Sequence, residues 1–489
     1  MSHKKSLEVK IKQLEKKVEQ LGKKIESEKN KRRQLSKELR GIKKRLKELV
    51  KSRDNWKEKL KDKQLHIKHL KAKVSRRDKA KGHQYSIWLV LLSILLRIKG
   101  NCSYVGIIKI LELINGFFQL GLQRIPCANT VQNWVSKMGL FFMEDLENEL
   151  FGQQVSLIID ESIRLGQEKL LLILCVPFEK QAQGGLGFED VRVIYMKGAT
   201  SWTGVKISEV LTKLKKEYGF EIKNILSDED SKLRNASQLS TYPHLPDISH
   251  AIATCLRRVF DKTIDYKWFK KTIASYQSRG VNQSLSYLCP PKQRTKARFM
   301  NISKVVVWAE KLLDRFNLLN EKEKNFFIDL TQQEAFTKDL KACLDVTQQV
   351  ALPFKLEGLS VKTLKKAKQL IESQQQQSTG YMEAFLTQIS SYLVQYETFI
   401  KLHPKSTIHI SSEVIESMFG KYKSKANNYA LTGLTTLNLE LPIYGKSKET
   451  IMELLTEALE GISSSDLIQW KKEKSSDNQL VKRAKFFNY

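Results

Sequence analysis

The chain has 489 residues, is 41% hydrophobic and carries a formal charge of +31. That length is too great for one ordinary domain and the apolar share is enough for packed cores, so a single domain and a coreless chain are both excluded; three or four units are expected. A charge so far from zero disfavours a basic partner and points to a polyanion.

The charge is uneven. Residues 1–82 hold 31 Lys and Arg against 11 Asp and Glu, a net +20, which leaves +11 for the rest. Six cysteines show no C-x-x-C pair and no zinc spacing, as expected of a reduced, cytoplasmic protein. The N-terminus is charged from Lys4 onward, unlike a signal peptide. The apolar run Ile87–Leu96 is short of the ~20 residues that span a bilayer, so a buried helix is expected and no membrane partner.

Residues 7–74 keep a heptad. One seam position runs Leu7, Leu14, Leu21, Glu28, Leu35, Ile42, and its partner Ile11, Val18, Ile25, Arg32, Leu39, Leu46. About ten such repeats without proline predict a coiled coil, hence a homodimer or larger oligomer. Its basic faces are either simply solvated or also touch phosphates. Ser75–Gly82 breaks the pattern and reads as a hinge.

Three helices are expected next, near Tyr85–Arg97, Tyr104–Phe118 and Asn129–Met138, with Asn129 as an N-cap. The third sets Thr130, Gln132, Asn133 and Lys137 against an apolar face, which suits a recognition helix in a DNA major groove. A plain helical bundle with Trp134 in its core fits as well.

From residue 155 the pattern becomes α/β. Strands are expected at 155–160, 169–176, 191–196 and 222–227, with a helix at 203–218 before the last. Three strands on short connections, then a helix crossing over to a strand parallel to the first, is the order of an RNase H-like sheet. The glycines of Gln181–Gly187 match no phosphate loop. Helices are expected at Ala251–Asp261, Trp308–Asn317, Glu323–Leu330, Ser360–Gln374 and Tyr381–Lys401, with a basic connector at Lys292–Arg298. Beyond them, Leu431–Pro442 reads as an extended segment and the end as a basic tail.

Three acids stand out. Asp160 closes the apolar run Val155–Ile159, Asp228 closes Ile225-Leu-Ser227, and Glu416 lies in Ser411–Gly420. Two metal ions held by three carboxylates are what phosphodiester cleavage and strand transfer need, and Mg²⁺ or Mn²⁺ suits oxygen ligands. Each acid has a rival. Asp230 better caps the helix from Ser231, and Glu413 sits in a first helical turn where it offsets the macrodipole. Asp247 with His250 is either a cap beside a buried histidine or support for the site. Lys423, seven residues after Glu416, projects from the same helix face and could hold a phosphate.

This order resembles the DDE transposases of bacterial insertion sequences. Asp160 matches their first acid, Asp228 in Leu-Ser-Asp the second, and Glu416 with Lys423 the Glu-x6-Lys pattern of the third. Pro126–Val135 is similar to the helix-turn-helix that often precedes their catalytic domain. Where the family carries Tyr and Arg before the glutamate, this chain has His409 and Ser412. The resemblance implies a nucleoid-associated enzyme that nicks transposon ends and joins them to target DNA. The resemblance covers roughly 84–445 and the long coiled coil is atypical of the family. With the heptad reading, the expected units are 1–82 (coiled coil), 83–145 (helix-turn-helix-like), 150–250 with 405–445 (RNase H-like core), 251–404 (all-α insertion) and 446–489 (C-terminal helix and tail). A noncatalytic DNA-binding relative and a nuclease without strand transfer share these features.

Overall fold

The computed structural model describes residues 2–76, 79–118, 122, 124–165, 168–178, 184–280, 284–292, 299, 301–376, 378, 380–425, 435–475 and 479–487. The chain divides into two compact units, Met1–Asp78 and Lys79–Tyr489.

The first unit is one helix, α1 (Ser2–Arg76), unbroken over 75 residues. Its apolar positions form the expected seam, and they are bare: Ile11 is 51% exposed and Trp56 69%. Among the described side chains of this unit nothing covers that stripe. Part of the expected hinge, residues 77 and 78, lies outside the described residues.

The second unit opens with α2 (Ile87–Ile98), α3 (Tyr104–Phe118), α4 (Ala128–Glu144) and a short α5 (Leu146–Leu150). Ser86 caps α2, accepting from the Leu89 amide, and the apolar run becomes a largely buried helix as expected. The cap expected at Asn129 is corrected. Helix α4 starts one residue earlier, behind an extended Cys127 whose side chain makes no capping bond.

Next come β1 (Gln154–Leu165), β2 (Glu168–Pro177), β3 (Arg192–Ala199), α6 (Gly204–Tyr218), β4 (Glu221–Ser227), α7 (Ser231–Leu239) and β5 (His244–Pro246). The sheet order is β3-β2-β1-β4-β5. β1 pairs with β2, and β2 with β3, in antiparallel fashion. β1 pairs with β4, and β4 with β5, in parallel. The α6 crossover makes the first parallel pair possible: Thr203 caps its start, and Gly219, at φ 65°, turns the chain into β4.

Alternation along the strands splits the interior. Val155, Leu157, Ile159 and Ile225 pack with Ile207 and Leu211 of α6. Ile158 and Leu226 point the other way, into a larger core shared with the helices that follow. That assigns Asp160 and Asp228, each two residues further on, to the larger core's side of the sheet.

Those helices are α8 (Ile248–Phe260), α9 (Ile264–Gly280), α10 (Ser303–Asp314), α11 (Glu321–Thr331), α12 (Glu334–Glu357), α13 (Val361–Gln375) and α14 (Gly380–Leu402). They confirm a helical stretch between the second and third acids. The sequence set no bounds for α9 and α12, but both fall within the stretch 251–404 expected to be helical. Pro353 inside the last turn of α12 removes a backbone donor, but Leu340, Cys343, Val350 and Phe354 bury one face and outweigh that loss. Most of the basic connector, residues 293–298, lies outside the described residues.

The chain ends with α15 (Glu413–Lys423), a 3-10 segment (Thr436–Ile443), α16 (Lys448–Gly461), α17 (Ser464–Lys474) and α18 (Gln479–Phe487). The segment expected to be extended is instead a 3-10 turn over its described part, which buries every residue from Asn438 to Ile443 and not alternate ones as a surface strand would. Residues 431–434 lie outside the described set. This turn packs on α4 at Gly139, where a Cβ would come within 1.7 Å of the Leu439 carbonyl oxygen. Helices α16 and α17 also lie against α4. The C-terminal stretch therefore completes the N-terminal helical bundle.

A buried ion cluster fastens that bundle to the end of α15. The Glu440 carboxylate, 0% exposed, accepts from Arg97 Nε at 2.6 Å, Tyr104 OH at 2.8 Å, Lys425 Nζ at 3.0 Å and Tyr444 OH at 3.4 Å. The Lys425 ammonium also donates to the Arg97 carbonyl at 3.1 Å. All six cysteines are unpaired. Among the described residues, no helix is long and apolar enough to cross a membrane.

Candidate active site

The last paired positions of the parallel strands are Ile158 and Leu226. Asp160 and Asp228 are both two residues beyond them, on neighbouring strands spaced about 4.8 Å apart. Alternation thus sets both aspartates on one face of the sheet, but the strand expected to close at Asp160 runs on to Leu165 because it stays paired with β2, while Asp228 directly follows β4. Glu161 alternates to the opposite side, where Lys169 at 2.5 Å and Lys232 at 2.9 Å engage its carboxylate.

Helix α15 packs against β1 and brings Glu416. Its seat is set by Asp247, as the N-cap of α8. One Asp247 oxygen accepts from the His250 amide at 2.8 Å; the other accepts from the Ser412 amide at 2.6 Å and the Ser412 hydroxyl at 3.0 Å. The Ile248 amide donates to the Ile410 carbonyl at 2.9 Å, and the Asp247 amide to the Ser227 carbonyl at 2.8 Å. One buried aspartate therefore ties the end of β4, the start of α8 and the start of α15 together. The capping reading of Asp247 holds, and its second oxygen adds a role that the sequence did not show.

The same joint sets His250 beside Glu416, with Nε2 3.0 Å from Oε1. Burial alone would lower the His250 pKa, but the hydrogen bond to Glu416 and the charges of Asp247 and Asp228 outweigh it and raise it to about 9. The imidazole is then a cation at neutral pH. In return its hydrogen bond holds the Glu416 carboxyl below the usual range, helped by the charges of Lys355 and Lys423. Asp228 behaves oppositely: burial pushes its carboxyl up, and the Asp230 amide, 3.1 Å from its Oδ1, offsets this only in part. Asp230 itself caps α7, accepting from the Lys232 amide at 2.9 Å, as expected.

The structure therefore brings Asp228, Asp247, His250 and Glu416 into one electrostatic neighbourhood, and strand alternation sets Asp160 on the same face of the sheet. Among the described residues, however, no three His, Cys, Asp or Glu side chains are arranged to hold a metal ion. In the structure Glu416 pairs with His250, and Asp228 accepts from the Asp230 amide.

Glu413 is exposed on the first turn of α15 and pairs with Lys355 of α12. Lys355 and the Asp247–Ser412 joint were missed. Lys355 gave no signal because it lies in a different helix, brought near only by the fold. Lys423 is exposed two turns beyond Glu416, as expected.

On α4, one proposed DNA contact is corrected. Lys137 is buried, its Nζ donating to the Leu459 carbonyl at 3.0 Å, and burial lowers its pKa. The C-terminal helices, remote in sequence, cover its position. Gln132 donates to the Thr436 hydroxyl at 3.3 Å, and Trp134 is core. Thr130 contacts the Cys127 sulfur at 3.1 Å, and Asn133 is exposed. Comparison with protein-family models and with curated proteins gives no match.

Proposed function

We propose that this chain is a DNA transposase of the DDE kind, with an RNase H-like core whose acids Asp160, Asp228 and Glu416 serve cleavage of transposon ends and strand transfer. The observation that carries this reading is the pair of aspartates that each stand two residues past Ile158 and Leu226, the last matched positions of the adjacent parallel strands, with the glutamate helix laid against the first of those strands. The donor set suits Mg²⁺ or Mn²⁺, two ions at a time: all three donors are carboxylates, and Asp228 is a desolvated anion lacking full compensation. When bound, such ions supply charge stabilisation at the attacking and leaving oxygens. His250 keeps Glu416 oriented, Asp247 fixes the helix that bears it, and Lys423 offers a cation to the phosphate. Thr130 and Asn133 remain the groove-reading candidates on α4. The bare seam of α1 supports a homodimer or higher oligomer through a coiled coil, acting on DNA in the cytoplasm.

One observation favours a second reading, a noncatalytic DNA-binding protein of the same build: the Glu416 carboxylate is already neutralised by His250. Supercoiled plasmid incubated with the protein and Mg²⁺ or Mn²⁺ separates them. Nicked and joined products, reduced at least ~10³-fold by Asp160→Asn, Asp228→Asn or Glu416→Gln, are expected of the transposase. Equal activity in wild type and Asp160→Asn removes this site from the chemistry. Nicks without joined products indicate a nuclease.

A further inference from the structure

We propose that Lys355, supplied by the helical insertion, is a contact for a DNA phosphate beside Glu416, and that Glu413 occupies its place until DNA arrives. This rests on reading α15 as the glutamate-bearing helix of a DNA-processing site.

The geometry begins with α15. Glu413, Glu416, Gly420 and Lys423 follow at i, i+3, i+7 and i+10, which aligns them on one helix face, and all four are exposed. With a rise of 1.5 Å per residue, Glu413 and Lys423 lie about 15 Å apart along the axis. That is about four phosphate steps of one strand in duplex DNA. Gly420 leaves the middle of the face low: a Cβ there would meet nothing within 4 Å. The track has Lys423 at its far end and, through the pair with Glu413, Lys355 at its near end. A cation thus stands on each side of Glu416, and both act on its charge.

Lys355 is held there by structure. Helix α12 ends at Gly358, at φ 77°, a conformation glycine adopts without strain. Leu359 and Ile408 then exchange backbone hydrogen bonds of 2.7 and 2.9 Å, which fixes the end of α12 beside the strand-like run that enters α15. Behind it, a Cβ on Gly185 of the β2–β3 connection would stand 3.3 Å from the Lys355 carbonyl oxygen. The lysine backbone is braced on both sides while its partner Glu413 is 57% exposed.

An exposed Lys–Glu pair is weak. A phosphate offers the same ammonium a charge-assisted bond and releases counterions from the DNA. Exchange of Glu413 for a phosphate oxygen is then favourable, and Glu413 becomes a competitor whose removal helps DNA.

The test is equilibrium binding of the full chain to a fluorescent duplex oligonucleotide over a salt series, with EDTA present so that cleavage plays no part. Lys355→Gln is expected to weaken binding about 3- to 10-fold at low salt. It should also flatten the slope of log K against log salt by about 0.9, the signature of one lost phosphate contact. Lys355→Arg should restore the slope, and Glu413→Gln should tighten binding a few-fold. An unchanged slope in Lys355→Gln, or weaker binding by Glu413→Gln, overturns the proposal. Circular dichroism of both variants guards against misfolding. The outcomes separate from those of the proposed function: a flattened slope in a protein without plasmid activity keeps the Lys355 contact and drops the chemistry. Activity abolished by Asp160→Asn with an unchanged Lys355→Gln slope does the reverse.

Discussion

Two carboxylate clusters flank α15, and they are built on opposite terms. At its C-terminal end Glu440 is sealed from water and surrounded by Arg97, Lys425 and two tyrosine hydroxyls, so both its oxygens are used. At its N-terminal end Asp228 is desolvated with one backbone amide on Oδ1, and Glu416 shares a half-open histidine. A saturated carboxylate has no capacity left for a ligand; its whole interaction goes into holding elements together. An undersatisfied one keeps an unmet demand for positive charge. The first is a joint, and the second has the character of a binding site.

Substitution should expose that difference. The largest effect is expected at Glu440: Glu440→Leu leaves Arg97 and Lys425 buried without their counter-ion and should cost about 3–5 kcal/mol in chemical denaturation. A loss under about 1 kcal/mol would mean that the cluster does not hold the bundle to α15. Next is Asp247→Ala, which removes a helix cap and the tie to Ser412. About 2 kcal/mol is expected, together with faster amide exchange at the start of α15.

Asp228→Asn should behave unlike either. It removes a poorly compensated buried charge, so stability should hold or rise, while any shift of the melting temperature by Mg²⁺ should vanish. At ten times its dissociation constant a bound ion would stabilise the wild type by about 1.4 kcal/mol. A Mg²⁺ shift that survives in Asp228→Asn would place the ion elsewhere.

Smaller is the pH dependence of the His250–Glu416 pair. The raised His250 pKa means that its contribution is complete below the ordinary value of 6.5 and is lost as pH climbs through about 9. The lowered Glu416 value means that its contribution fades as pH falls below the usual carboxylate range. The stability gap between wild type and His250→Gln should therefore be widest near pH 5–6, at no more than about 1 kcal/mol for so open a pair, and close as pH rises past about 9. A gap that widens with pH would show that the imidazole is held neutral. Last, Gly420→Ala meets no atom and should gain about 0.5–1 kcal/mol of helix stability. If the face carries DNA, it should also weaken binding.

Much of this was legible in the chain. Alternation marked β2, β3 and β4 to within a few residues and β1 up to Asp160, though that strand runs on to Leu165, and the α6 crossover made β1 and β4 parallel neighbours. These are local matters: period two selects a strand, period 3.6 a helix, and a crossover helix makes the flanking strands parallel. Capping was equally readable, since Asp230 and Asp247 bond to amides within three residues of themselves.

What no local pattern held was the covering of one element by another distant in sequence. Lys137 looked like a groove contact on an amphipathic helix until α16 and α17 came to lie on α4. Lys355 drew no attention in the sequence, and only the Leu359–Ile408 bridge set it beside Glu413. The sequence set the Glu416 carboxylate with two aspartates, and the fold adds a partner that it did not show, His250, two residues past another helix's start. Backbone periodicity depends on neighbours a few residues apart, so sequence alone determined it. The partner of a charged side chain depends on which surfaces the whole fold brings together, and only the tertiary structure decided that.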